Sequence, residues 1–134
     1  MRRLQPPGWP EPKGYANGIE AEGRLVFVAG QIGWDENGVF ADELSAQVEQ
    51  TLRNVIAVLA QADAKPDNVV RLTWYVTSRN EYLEQQKAIG AAYRAVMGRH
   101  FPVMAVVEVS GLMEDAAKVE IEATAVVGYS CANI

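Results

Sequence analysis

Lys118-Val119-Glu120-Ile121-Glu122-Ala123-Thr124-Ala125-Val126-Val127 alternates along its whole length. Val119, Ile121, Ala123, Ala125 and Val127 fall on one side, and Glu120, Glu122, Thr124 and Val126 on the other. That period of two belongs to a strand with one covered face. Working back from it, Val103 to Val109 is a second strand, and Val103-Met104-Ala105-Val106-Val107 within it is apolar on both faces. Val70, Leu72, Trp74 and Val76 share one face of a third strand over 69–76, opposite Arg71, Thr73 and Tyr75.

Between these runs the period lengthens. Leu44, Val48, Leu52, Val55, Ile56 and Leu59 step by three and four, which predicts an amphipathic helix from Glu43 to Ala62. Tyr82, Ile89, Ala92, Tyr93 and Val96 predict a second helix, capped by Asn80 and ended by Gly98 and Pro102. Upstream, Tyr15 to Glu20 and Arg24 to Ala29 read as two strands joined by the turn Ala21-Glu22-Gly23. Gly33 to Gly38 is a loop by composition, and residues 1–13 form an extended, proline-rich arm. The order is ββαβαββ, an α+β fold with two helices on one face of a sheet, in a single domain over 1–134. Two helices cover one side only. The other face is expected to be buried against another copy of the chain, and clefts at such joints are common ligand sites.

Twelve basic against seventeen acidic residues leave a net charge of −5. A nucleic-acid binder needs a basic face to displace counterions from phosphates, so nucleic acid is not an expected partner. No apolar run reaches the roughly 18 residues of a membrane span. Cys131 is the one cysteine and His100 the one histidine, so the chain builds neither an intrachain disulfide nor a histidine-based metal cluster. With no apolar leader at the N-terminus, the cytoplasm is the expected location. His100 reads as a solvated or capping residue at a helix end. Cys131 falls in a tail expected to be mobile.

Gly30-Gln31-Ile32-Gly33 follows a strand but lacks the third glycine and the helix of a dinucleotide loop, so it reads as a strand end that exposes backbone N–H groups. Glu120 and Glu122 point away from the helices. There a carboxylate can accept a proton or orient water, or else be solvated or ion-paired. Tyr15, next to Gly14, is a pocket-rim residue or a plain strand aromatic.

Several segments together resemble the RidA (YjgF) family: Gly14-Tyr15-Ala16-Asn17-Gly18, Val26-Phe27-Val28-Ala29-Gly30-Gln31-Ile32, Gln47 with Leu52 and Asn54, Val70 to Val76, Phe101-Pro102, Val107-Glu108-Val109 and Val119-Glu120-Ile121-Glu122-Ala123. The resemblance runs from about Tyr15 to Val127. It implies a chorismate-mutase-like subunit in a homotrimer, with small-molecule clefts between subunits. The implied chemistry is metal-free and cofactor-free hydrolysis of reactive imines or enamines of 2-amino acids to 2-keto acids and ammonia. The same resemblance gives Glu120 the task of positioning the attacking water, Gly30 a backbone N–H for the substrate carboxylate, and Tyr15 a place in the pocket wall.

This chain departs from the family pattern at the pocket. Met104 stands where an arginine grips the carboxylate, Ala29 where serine is frequent, Val106 where cysteine is common, and Gly90 where many members have asparagine. Charge-assisted hydrogen bonds contribute about 1.5–3 kcal/mol each, and a buried carboxylate left without its partner costs roughly 3–5 kcal/mol, which a thioether does not recover. Three readings follow: an enzyme acting through Glu120 on a less acidic, enamine-like or other neutral metabolite; a non-catalytic module that binds a metabolite or a partner enzyme; and a conventional 2-imino-acid deaminase in which Arg24, Arg71 or Arg94 replaces the missing arginine.

Overall fold

Val119, Ile121, Ala123 and Ala125 are all buried, while Glu122 among them is exposed. The alternation read from the sequence is therefore the in–out pattern of a real strand. In the computed structural model, which describes residues 1–128, the elements are β1 (Arg2–Leu4), β2 (Gly18–Glu20), β3 (Arg24–Ile32), α1 (Leu44–Ala60), a 3-10 turn (Pro66–Asn68), β4 (Val69–Val76), α2 (Arg79–Glu84), α3 (Gln86–Met97), β5 (Val103–Glu108) and β6 (Val119–Val127). The main sheet has the order β3-β6-β4-β5. β6 enters last and sits between β3 and β4, antiparallel to both, which is why its inward side chains are so deeply buried. β5 runs parallel to β4 at the edge. The helices lie on one face. Leu44, Val48, Leu52, Val55 and Leu59 of α1, with Ile89, Tyr93 and Met97 of α3, close over Val28, Leu72, Trp74 and Ile121 in one core.

The fold is α+β, as expected, and its sheet is mixed; two details differ. The hairpin expected between 15–20 and 24–29 does not form. Gly18–Glu20 pairs instead with Arg2–Leu4, so the proline-rich arm begins with a strand. The bare Cα of Gly18 lets Leu4 lie against it, and Arg2 Nη2 reaches Glu20 Oε2 at 2.7 Å. The second helix is two helices, and its first cap is Ser78, whose Oγ accepts from the Glu81 N–H at 3.1 Å, rather than Asn80. The break at Gln85 has a use. Its Oε1 accepts from the Ser45 N–H at 3.0 Å and its Nε2 donates to Glu43 at 3.0 Å, capping the start of α1, where Glu43 makes no cap of its own. β5 lies at the sheet edge, and its Val103, Ala105 and Val107 share the face that no helix covers with Leu25 and Phe27, which are 62% and 71% exposed.

Among the described residues no helix is long and apolar enough to cross a membrane. His100 is half-buried, not solvated: its Nε2 lies 2.6 Å from the Val69 carbonyl, an acceptor, so the proton sits on Nε2. Cys131 lies outside the described residues.

Gln47 ties the loops to the core. It is buried on α1, with Nε2 donating to the carbonyls of Ala41 (2.8 Å) and Ala116 (3.0 Å) and Oε1 accepting from the Lys118 N–H (2.8 Å). Gln47→Leu strands three backbone groups, each worth roughly 1–3 kcal/mol when buried and unpaired, partly relieved by water. A loss of about 2–4 kcal/mol is expected, read as a lowered urea midpoint at unchanged slope. A loss below about 1 kcal/mol would show that these loops do not depend on Gln47.

Candidate functional site

The five residues singled out from the sequence fall into two groups. Gly30 and Glu120 form the first. The β3–β6 register shifts between Val28 and Gln31, so Ala29 and Gly30 fall outside the ladder. Glu120 fills the space beside the bulge: a Cβ placed on Gly30 would stand 2.5 Å from Glu120 Oε2 and 2.9 Å from its Cγ. Glycine here lets the Glu120 side chain lie against the backbone. Across the sheet, Tyr75 is in register with Glu120, and its hydroxyl donates to Glu122 Oε1 at 2.8 Å. That hydrogen bond, a little burial and the nearby charges of Glu122 and Glu120 raise the Tyr75 phenol above its ordinary value, so it stays a donor at neutral pH.

Tyr15, Met104 and Val106 form the second group. They line a cavity of about 480 Å³ whose other walls include Trp74, Tyr82, Ile89 and Phe101. Met104 and Val106 are in register with Leu72 and Trp74, so they face the helix side of the sheet. The aromatic wall is held in order: Trp74 stacks on Tyr93 at 6.4 Å between centroids, Tyr93 stacks on Phe101 at 5.5 Å, and Tyr82 meets Trp74 edge-on at 6.5 Å. The Tyr93 hydroxyl donates to the His100 carbonyl at 2.5 Å, and burial raises its phenol well above the ordinary range.

The groups do not meet within one chain. Glu120 lies on the open face of β6, and Met104 lies on the helix side of β5, two strands away; adjacent strands are about 4.8 Å apart. Of the three arginines considered as substitutes, Arg24 donates to the Ala62 carbonyl at 3.2 Å, and Arg71 lies on the open face beside Thr73. Arg94 lines the same cavity as Met104. Sequence reasoning gave no role to Trp74 or Tyr75. The signal for Trp74 was present: an indole N–H on an inward strand position needs an acceptor.

The family model for Endoribonuclease L-PSP matches residues 10–127. A 2-iminobutanoate/2-iminopropanoate deaminase of Salmonella typhimurium is 36% identical over 116 residues, 84% of this chain and 86% of that protein. Among solved structures, a protein of the conserved Rid family from Yersinia pestis superposes with a TM-score of 0.80 at 32% identity, covering 94% of this chain and 98% of its own. A member of the YjgF/YER057c/UK114 family from Mycobacterium tuberculosis gives 0.65 at 34% identity, covering 86% and 88%.

Two glycine substitutions distinguish close approach to a side chain from backbone strain. Gly30→Ala meets the Glu120 side chain from Oε2 back to Cγ but no backbone atom, so the side chain can swing away and a stability loss of about 1 kcal/mol is expected, with the carboxylate moved in a crystal structure. Gly23 has φ +149°, and a Cβ there would lie 2.2 Å from the Val127 carbonyl oxygen, so Gly23→Ala is expected to lose more, on the order of 2–3 kcal/mol. Equal melting temperatures for the two variants would contradict this assignment.

Proposed function

The chain belongs to the RidA (YjgF) family, and from that premise we propose that it hydrolyses a reactive imine or enamine in a pocket completed by a second copy of itself. The observation that carries the proposal is the position of Glu120, a carboxylate beside a backbone bulge on the face that no helix covers. In the proposed homotrimer this Gly30–Glu120 half faces the Tyr15–Met104–Val106 half of a neighbour. The exposed Leu25 and Phe27 on the open face support burial against another copy. Glu120 orients a water and takes up its proton as the oxygen adds to the C=N carbon. Both water hydrogens end on the nitrogen, which leaves as ammonia, and the carbon becomes a carbonyl. No metal or organic cofactor enters this scheme.

Met104 is a thioether, so the part of the ligand seated against it is uncharged. A short 2-imino acid held at that point has no cationic partner, and 2-iminopropanoate is expected to be a poor substrate. The alternative, ordinary 2-iminobutanoate/2-iminopropanoate deamination, is favoured by the name of the Salmonella typhimurium relative at 36% identity. An RNA substrate is disfavoured by the net charge of −5.

The test is an amino-acid oxidase reaction that generates imines from several amino acids, with semicarbazide trapping what remains. The protein should lower trapping, weakly for 2-iminopropanoate. Glu120→Gln should abolish the effect while light scattering still gives three times the chain mass, because the change keeps shape and removes the base. A wild-type monomer rules out the shared pocket. A trimer inactive on every imine leaves a binding module, and strong activity on 2-iminopropanoate favours the ordinary deaminase.

A further inference from the structure

Tyr75, on β4, stands beside two carboxylates of β6. Glu120 is its register partner, and Glu122 lies one diagonal step along the same face. Side chains directly opposite each other start about 4.5–5.5 Å apart across a sheet, and a diagonal pair is still within reach of an aromatic side chain. The hydroxyl therefore has two acceptors to choose between. It takes the diagonal one, donating to Glu122 Oε1 at 2.8 Å. That bond first, then slight burial and the two negative charges, raise the phenol above its ordinary value, so the donor is not lost by ionisation near neutral pH.

Glu120 is turned the other way. A Cβ built on Gly30 would stand 2.5, 2.8 and 2.9 Å from its Oε2, Cδ and Cγ, so the side chain leans over β3 and away from β4. Among the described residues neither of its oxygens has a hydrogen-bond or ion-pair partner. Glu122 is held by Tyr75, while Arg71 borders the same patch of the open face without pairing with it. Of two carboxylates flanking one donor, Glu122 is satisfied and the one assigned to the water is left bare.

This matters for a base. A hydrogen bond to a carboxylate favours its charged form, weakens it as a proton acceptor and occupies an oxygen that the water needs. A Tyr75 hydroxyl on Glu120 would do both. We infer that Glu122 is a positioning residue: it holds the Tyr75 hydroxyl off Glu120, while the bare Gly30 gives Glu120 room on the opposite side. Both Glu120 oxygens are thereby free for the attacking water. The consequence for the reaction rests on the proposed function; the placement of the hydroxyl does not.

Three variants of the intact protein test it: Glu122→Ala, Glu122→Gln and Tyr75→Phe, the first also combined with the third. Glu122→Ala removes the acceptor, so its crystal structure should show the Tyr75 hydroxyl within about 3 Å of a Glu120 oxygen. In the oxidase and semicarbazide reaction its kcat should fall about tenfold with KM within about twofold, as expected when one hydrogen bond to a charged group opposes the base. Glu122→Gln still offers an oxygen and should recover most of that loss. Tyr75→Phe removes the donor, so adding it should restore Glu122→Ala to within about twofold of wild type. A merely structural glutamate would be rescued by neither. The inference is overturned if the hydroxyl stays away from Glu120 in the Glu122→Ala crystal, or if Glu122→Gln is as slow as Glu122→Ala. It is equally overturned if Tyr75→Phe fails to restore the rate, or if light scattering shows that Glu122→Ala has left the wild-type assembly. If the wild type turns over no imine, the catalytic reading fails, and the crystal structures alone decide where the hydroxyl goes.

Discussion

A four-stranded sheet with helices on one face only is the constraint on which the rest depends. Because α1 and α3 fill that face with Leu52, Val55, Ile89 and Tyr93, β6 must send Ile121 and Ala123 toward them. The strand's period of two then sends Glu120 and Glu122 the other way. The two carboxylates and the core are thus two sides of one alternation. A one-residue slip of β6 would bury two carboxylates and expose Ile121. The same one-sidedness leaves Leu25 and Phe27 in the open, which is why the functional reading turns on a second copy.

The edge strand sets the second half of the site. β5 has only β4 beside it, so the helix-side residues Met104 and Val106 border open space under α2 and α3 instead of being sealed. That space is a cavity because its aromatic walls are braced against one another: Trp74 on Tyr93, Tyr93 on Phe101, and the Tyr93 hydroxyl on the His100 carbonyl. His100 in turn holds the Val69 carbonyl at the start of β4. The lone histidine is a brace for the wall and has no place in the proposed reaction. Gln85 and Gln47 do similar work at the start of α1 and in the loop before β6, replacing a missing cap and closing loops with side-chain amides.

Much of this was legible along the chain. The alternations at 71–76 and 119–127 and the three-four stripe at 44–59 depend on local geometry and burial, which act over a few residues, so periodicity was enough to find those elements, although a register shift at Val70 puts Val69 in the core in its place. Glu120 was legible as a candidate for the same reason, whereas Gly30 stood out as a strand-end glycine and through the family resemblance. Gly18–Glu20 was misread because both strand neighbours and turn residues were at hand on its C-terminal side, and the pairing it makes, with Arg2–Leu4, crosses a proline-rich arm that carries no periodic signal. The break at Gln85 was hidden because its reason lies in Ser45 and Glu43, some forty residues away.

By itself the sequence determined the α+β class, the positions of the main strands and of α1, the side of β6 on which Glu120 stands, and the apolar residue at 104. Each of these is set by the intrinsic geometry of helix or strand acting on neighbouring side chains. Only the tertiary structure decided that β6 enters between β3 and β4, that Glu120 and Met104 lie on opposite faces of the sheet, that Arg94 rather than Arg24 or Arg71 shares the cavity with Met104, and that the Trp74 N–H is left without an acceptor. The reason is that these are relations between residues far apart in the chain. Strand order and helix docking choose them, and no local period encodes which distant partner a side chain will meet.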